Sequence, residues 1–232
     1  MQKIASFHQM QLLFKNNFLE SLYLMLLFSL LLLNLIYIAN NFMTKEKIMK
    51  KIKLGPKRLL FPMPSVLVGA IVDDRPNFMA VAWCSIAAHK PPALSVSLRK
   101  ERYTLKGVKE NGVFSVNVPS CNMVRATDYC GLYSGKDRDK SKIFTVFYGT
   151  LKNAPLIQEC PVNLECSVVK YVDLKSHMLV IGEIIETYTN DDCMTDGKVD
   201  PEKIDPLIYS PGNMKYYGIG NIIAHAFSIG KE

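Results

Sequence analysis

Residues 94–104, LSVSLRKERYT, carry side chains whose chemistry suits a phosphate group. The first half alternates apolar and hydroxyl residues as a strand does, so its serines share one face with the first arginine. The second half is rich in cations and leads into a predicted helix, whose first N–H groups are free and whose N-terminus is partially positive. The candidate phosphate-binding residues are Ser97, Arg99, Lys100, Arg102 and Thr104. Such a set is suited to a phosphate, but composition alone favours a solvated turn in which Glu101 neutralises a neighbouring cation.

The run before this stretch, residues 77–92, is a candidate surface for a flat ring. It holds the only tryptophan of the chain, a thiol and a hydroxyl among alanines. Small residues allow a ring to lie against the backbone, whose N–H groups can bond its polar edge. The candidates here are Ala82, Trp83, Cys84 and Ser85. The alternative is an ordinary core strand with a buried, inert Cys84.

Taken together, NFMAVAWCSIAAHKPPALSVSLRKERYT (residues 77–104) resembles the FMN-binding split-barrel domain of the flavoredoxin and flavin reductase-like family. The shared pattern is a strand of small and aromatic residues, a Pro-Pro turn, an alternating strand and a cationic segment that ends in threonine. Further segments match in order, and they extend the resemblance over roughly residues 50–230. They are ATDYCGLYSGKDRDK (126–140), HMLVIGEI (177–184) and DPLIYSPGNMKYYGIG (205–220).

The resemblance implies a homodimeric split β-barrel that holds FMN non-covalently near the subunit interface. The five phosphate candidates would hold the phosphate and ribityl chain, and residues 82–85 would run along the isoalloxazine, with Ser85 reaching towards N5 or O4. His177, at a position where the family commonly has histidine, would line the flavin or donor pocket, unless it is a generic loop histidine. The family often has Thr or Ser where Ala80 stands, so one side-chain hydrogen bond is missing here.

A predicted helix around residues 128–130 and a charged loop at residues 137–140 are expected to have structural roles. The predicted helix that contains Asp128, Tyr129 and Cys130 packs near the cofactor in the family, and we expect packing rather than direct contact. The charged residues 137–140 are expected to form a solvated loop, although such a loop could cover a flavin.

The function that follows is oxidoreduction through a bound flavin. FMN would accept electrons from NADH, NADPH or a redox protein and pass them to an acceptor, while the protein orients and shields the cofactor. Hydride transfer needs no protein acid or base, so no catalytic side chain and no metal are expected. The alternatives are an FMN-binding electron carrier without NAD(P)H activity and a flavin-free ligand-binding barrel.

The elements that must position these residues are mainly short strands, with two short helices inserted. No repeated βαβ unit and no GxGxxG motif occur, so a mainly β, closed or split antiparallel barrel is predicted rather than a Rossmann fold. The predicted strands are residues 65–72, 78–88, 94–98, 113–118, 162–173 and 178–188, and the predicted helices are 104–111, stopped at Gly112, and 120–129, capped by Ser120.

Composition narrows the partners and the compartment. The net charge of +7 suits a phosphorylated small molecule as well as a nucleic acid. No zinc-finger spacing, long basic helix or RNA-binding aromatic motif occurs, so no nucleic-acid partner is expected. The six cysteines form no CxxC pair. This usage is typical of reduced thiols in a cytosolic protein.

The N-terminal residues differ from the rest of the chain. Residues 21–39 contain no charge, and the apolar run of about 18–39 approaches the ~20 residues that span a bilayer. Lysines follow it, which would place the body in the cytoplasm. The chain therefore divides into residues 1–48 and a flavin-binding domain of residues 49–232. The first part is either a hydrophobic helix that tethers the protein to a membrane or an upstream stretch added by a mis-assigned start before Met49.

Overall fold

The computed structural model describes residues 22–38 and 50–231 of the chain. The chain divides into two units, Met1–Pro56 and Lys57–Glu232. In the first unit, residues 22–38 form a helix, α1. None of the helices in the described ranges combines the length and the apolar character needed to cross a membrane. The predicted domain start at Met49 and the ends of the predicted apolar segment lie outside the described residues.

The second unit is mostly β with short helices. Its strands are β1 (Met63–Pro64), β2 (Val66–Val72), β3 (Arg75–Val81), β4 (Cys84–Ala88), β5 (Ala93–Arg99), β6 (Val113–Val118), β7 (Val146–Phe147), β8 (Leu156–Ile157), β9 (Val162–Leu174), β10 (His177–Thr189), β11 (Met194–Thr195), β12 (Lys198–Val199), β13 (Ile208–Ser210) and β14 (Lys215–Tyr217). Its α-helices are α2 (Tyr103–Asn111), α3 (Val124–Leu132) and α4 (Pro201–Ile204). Short 3₁₀ turns add to these at Cys121–Met123, Lys140–Ile143, Asp191–Cys193 and Ile229–Lys231.

Seven strands form one antiparallel sheet in the order β3-β2-β6-β9-β10-β5-β4. The two edge strands, β3 and β4, are consecutive in sequence and are joined only by Ala82 and Trp83. A two-residue connection cannot cross the width of a seven-stranded sheet, so the sheet must curl until its edges meet. The Ser97 N–H donates to the Trp83 carbonyl at 2.9 Å at this point. We call residues 79–83, where the barrel edges come together, the seam.

The alternation predicted for β5 is confirmed. Leu94, Val96 and Leu98 are at most 2% exposed and belong to the main core, whereas Ser97 is half-buried and Arg99 is exposed on the other face. Burying three branched apolar side chains stabilises the strand by about 1.5–3 kcal/mol each. The outer face is therefore free to carry polar groups.

The strands predicted over residues 94–98 and 113–118 are confirmed, as is the helix that ends at Gly112, whose φ of 66° is the left-handed conformation that glycine adopts readily. The single strand predicted over residues 78–88 is wrong, because β3 ends and β4 begins on opposite edges of the sheet. The cap predicted at Ser120 is also wrong. That hydroxyl donates to the Asn122 side chain at 2.6 Å, and a 3₁₀ turn precedes α3.

Candidate functional site

Four cavities surround the seam, and its small residues form their shared walls. Ala80 lines three of them and Ala82 lines three. We name them the α2 cavity (about 270 Å³), the arginine cavity (about 160 Å³), the strap cavity (about 490 Å³) and the tyrosine cavity (about 310 Å³). Because the side chains at positions 80 and 82 are methyl groups, a ligand can approach the strand backbone closely from any of these cavities.

The α2 cavity is built around the N-terminus of α2 and is strongly basic. Arg99, Arg102 and Lys140 line it together with one carboxylate, Glu101, which pairs with Arg99 at 3.5 Å. Arg102 is the N-cap residue of α2 and its side chain makes no capping bond, so the first N–H groups of the helix have no side-chain cap. Cations and helix N–H groups that converge on one cavity are suited to an anion.

Thr104 lines the α2 cavity, and a hydrogen bond from Asn77 fixes its side chain. It is 1% exposed, and its Oγ1 accepts a hydrogen bond of 2.7 Å from the Asn77 side chain. A hydroxyl that accepts from an amide still has its own proton to donate. Gly135 lies against Asn77, since a Cβ at that position would fall 2.0 Å from Asn77 Oδ1. The interaction of Asn77 with Thr104 was not predicted, because nothing in the sequence relates β3 to α2.

Contrary to the prediction from its charged sequence neighbours, Lys140 does not lie in a solvated loop. It is 3% exposed and lines the α2 cavity. Its Nζ donates to the carbonyls of Cys130 (3.2 Å) and Tyr133 (3.0 Å), and burial lowers the pKa of its ammonium group. The other charged residues of this loop, Asp137 and Arg138, are exposed as expected, and Asp139 is half-buried. The sequence does not distinguish Lys140 from its exposed charged neighbours, because its burial depends on how the loop turns back on itself.

The arginine cavity continues from the α2 cavity along β5 and contains a stack of three side chains. The Trp83 and His177 rings lie 4.7 Å apart at 31°, and the Arg58 guanidinium lies 5.6 Å from the Trp83 ring centre. Arg99 pairs with His177 in the β5–β10 register, which brings the strand end and the hairpin together. His177 Nδ1 also lies 2.8 Å from the hydroxyl of the preceding serine. Arg58 was not predicted, because no sequence motif links it to Trp83. It lies in residues 57–64, which end with β1 and which we call the strap.

The strap cavity is the largest of the four and the most apolar. Residues of the strap cover one side, and Ala82, Trp83, Cys84 and Ser85 form another. Burial raises the pKa of the Cys84 thiol to about 11, so it is a neutral group at physiological pH. The Ser85 hydroxyl is exposed and donates only to the carbonyl of the next residue, at 3.3 Å.

The structure brings nine of the ten predicted site residues to the walls of three connected cavities. They are Ala82, Trp83, Cys84, Ser85, Ser97, Arg99, Arg102, Thr104 and His177. Lys100 is placed differently. Its Nζ lies 2.7 Å from the Asp173 carboxylate on the β9–β10 hairpin, and it lines none of the four cavities. The Lys100 ammonium lowers the pKa of that carboxyl group.

The tyrosine cavity has a different chemistry. Its walls come from the seam, from α3 and from β13–β14, and they include Tyr209, Tyr216 and Asp128. The Tyr216 hydroxyl donates to Asp128 Oδ1 at 2.9 Å. Asp128 therefore lines a cavity, whereas we had expected its helix only to pack. Within residues 22–38 and 50–231, no group of three or more His, Cys, Asp or Glu side chains is arranged to hold a metal ion.

Comparison with known proteins identifies the fold and its relatives. Residues 58–218 match the model of the flavin reductase like domain. A flavoredoxin from Methanosarcina acetivorans is 43% identical with a TM-score of 0.77, and the match covers 78% of this chain and 98% of that one. The flavoredoxin of Desulfovibrio vulgaris (Miyazaki F) is 39% identical with a TM-score of 0.74, over 78% and 100% of the two chains. An FMN-binding protein from Thermus thermophilus shares the fold at 19% identity, with a TM-score of 0.66 over 77% and 100%. The predicted mainly β split-barrel fold is confirmed.

Proposed function

The chain belongs to the flavin reductase like domain family, and on this premise we propose that it is an FMN-dependent oxidoreductase. It would pass electrons from NADH, NADPH or a redox protein through bound FMN to an acceptor. The observation that carries the proposal is the continuity of a basic cavity at a helix N-terminus with a larger apolar cavity, both walled by the seam.

The α2 cavity fits the phosphate of FMN. Its anion ligands would be the guanidinium groups of Arg99 and Arg102, the Lys140 ammonium, the Thr104 hydroxyl and the first N–H groups of α2. Hydrogen bonds in which the donor or the acceptor is charged are roughly twice as strong as neutral ones. Because Lys140 and Thr104 are already held by Cys130, Tyr133 and Asn77, little ordering is left for the ligand to cause.

The arginine and strap cavities fit the remainder of the cofactor. Ser97 lies between them on β5 and would meet the ribityl chain, while residues 82–85 would line the ring. A volume of about 490 Å³ lies within the ordinary range of cofactor pockets, 300–1,000 Å³. The flavin would supply the electron-transfer chemistry, and the chain's own residues would bind, orient and shield it.

The first test is the absorbance spectrum of the purified full-length chain, followed by anaerobic mixing with NADH and NADPH. Bleaching of the flavin absorbance band at ~450 nm by either nucleotide is the expected result. A flavin band that persists with both nucleotides but is bleached by dithionite would support the alternative, an FMN-binding electron carrier with no direct NAD(P)H activity. A colourless protein that takes up no added FMN would contradict both functions.

The resemblance also supports a homodimer, which we propose as the functional form. Light scattering of the full-length chain would measure its mass against the 26.2 kDa of one copy. A monomer that binds FMN normally would contradict the dimer without affecting the flavin assignment. The redox-protein partner and the cytoplasmic location of the body stay predictions.

A further inference from the structure

The tyrosine cavity is not part of the flavin site proposed above, which occupies the other three cavities. It shares Ala80 and Ala82 with the other cavities, but its remaining walls belong to α3 and to the β13–β14 hairpin. None of the phosphate candidates lines it, and neither does Trp83. With about 310 Å³ it has room for a second, smaller ligand.

The polar edge of this cavity accepts hydrogen bonds. Asp128 Oδ1 already accepts from the Tyr216 hydroxyl at 2.9 Å. Burial, together with this hydrogen bond, raises the pKa of the Tyr216 hydroxyl, so Tyr216 stays a donor to the carboxylate. An ionised carboxylate offers about four acceptor positions, and Tyr216 uses one of them. A ligand that meets this edge can therefore donate a hydrogen bond to Asp128.

The charge of the cavity separates it from its neighbours. No lysine or arginine is among the described residues that line it, whereas three cations line the α2 cavity. A single carboxylate would repel phosphate and other anions. Nucleotides and flavin phosphates are thus poorly matched to this cavity.

The other walls are aromatic and apolar. The Tyr209 and Tyr216 rings lie 5.6 Å apart at 54°, and both line the cavity, so they give it an aromatic wall against which another ring can pack. Leu132 and Met214 also line the cavity, and they are 68% and 79% exposed. Large apolar side chains that remain this exposed around a cavity would gain by being covered with an apolar ligand.

We propose that the tyrosine cavity binds a small aromatic ring with a hydroxyl group that donates to Asp128, a ligand of the phenol and hydroquinone class. The ring would pack against Tyr209, Leu132 and Met214, and the hydroxyl would meet the carboxylate. Because the cavity shares the seam with the flavin site, this ligand would lie next to the cofactor without replacing it.

The test uses calorimetry on the full-length, FMN-loaded protein with two probes that differ in one hydrogen-bond donor. p-Cresol has the hydroxyl, and 4-methylanisole carries a methyl ether in its place. A hydrogen bond to a charged acceptor predicts that p-cresol binds about tenfold or more tightly than the ether. Asp128→Asn keeps an acceptor oxygen but removes its charge, so it should reduce this preference. Glu202→Gln changes an exposed carboxylate on α4 and should leave the preference intact.

Equal affinity for the two probes on the unmodified protein would overturn the proposal, and this comparison does not depend on any variant folding. Displacement of p-cresol by FMN would also overturn it, because the cavity would then belong to the flavin. Tighter binding of benzylamine than of p-cresol would replace the phenol class with an ammonium ligand. A protein that holds no FMN but still prefers p-cresol would contradict the proposed function and leave this site standing.

Discussion

Replacing Lys140 with methionine should weaken FMN binding far more than riboflavin binding. The substitution keeps the unbranched side chain but removes the ammonium group, which is 3% exposed and lines the α2 cavity. Only FMN has the phosphate that this cation would meet, so riboflavin serves as a matched control ligand. Lys136→Met, an exposed lysine in the same loop, serves as the control variant.

The magnitude follows from the burial of the group. A hydrogen bond to a charged group contributes about 1.5–3 kcal/mol, which is about tenfold to a hundredfold in Kd. The ammonium is already desolvated before the ligand arrives, so little of this gain is lost to further dehydration. Removing it also leaves the carbonyls of Cys130 and Tyr133 without this donor, which should lower stability by about 1–3 kcal/mol.

The direction in which FMN affinity changes with pH follows from the pKa of Lys140 and from the charge of the phosphate. Burial lowers the pKa of Lys140 in the free protein, and a bound phosphate dianion would raise it again. Binding therefore takes up a proton wherever the free ammonium is partly neutral, and FMN affinity should fall as pH rises through the lowered pKa of Lys140. At the acid end, affinity should rise as the phosphate loses its second proton near a pKa of about 6.

The assay is a fluorescence titration of FMN and of riboflavin into apoprotein, for the unmodified chain and both variants. We expect a loss of about tenfold to a hundredfold for FMN with Lys140→Met, and little change for riboflavin or for Lys136→Met. If FMN and riboflavin weakened equally, Lys140 would act only on the scaffold, and the phosphate assignment of the α2 cavity would be refuted.

Three further predictions test the site and the fold. Trp83 is the only tryptophan and lines the proposed ring site, so FMN should quench its emission on binding; an unchanged emission at saturating FMN would exclude a ring next to it. Lys100→Ala should change FMN affinity little, because the Lys100 ammonium pairs with Asp173 outside the cavities. Arg102→Ala should weaken FMN binding about tenfold in the same titration. Equal losses of affinity for the two variants would show that Lys100 also contacts the phosphate. Glu165 is 0% exposed and accepts hydrogen bonds from two backbone N–H groups and a tyrosine hydroxyl. In urea unfolding, Glu165→Ala should lower the free energy of unfolding by about 3 kcal/mol, and the exposed Glu186→Ala by about 0.5 kcal/mol or less. Similar losses for the two variants would contradict a structural role for the buried carboxylate.

The sequence by itself determined the features that depend on near neighbours in the chain. The alternation in β5 placed Ser97 and Arg99 on the polar face, and Gly112 ended α2, because strand period and left-handed glycine are local properties. The order of the matching segments also identified the family correctly, since that order is written along the chain. Nine of the ten predicted site residues line the connected cavities for the same reason, because they lie in those segments.

Only the tertiary structure decided which of these residues meet. The break at Ala82–Trp83 exists because the sheet closes on itself, and that closure depends on pairings between strands far apart in sequence. The same closure brings Arg58 of the strap over Trp83, and packing of the 133–140 loop buries Lys140 under α3. Lys100 shows the converse, because a predicted phosphate ligand turns to Asp173 on a distant hairpin. The charge and spacing of a side chain indicate which groups it can bind, but its position relative to distant strands decides which of those groups it contacts.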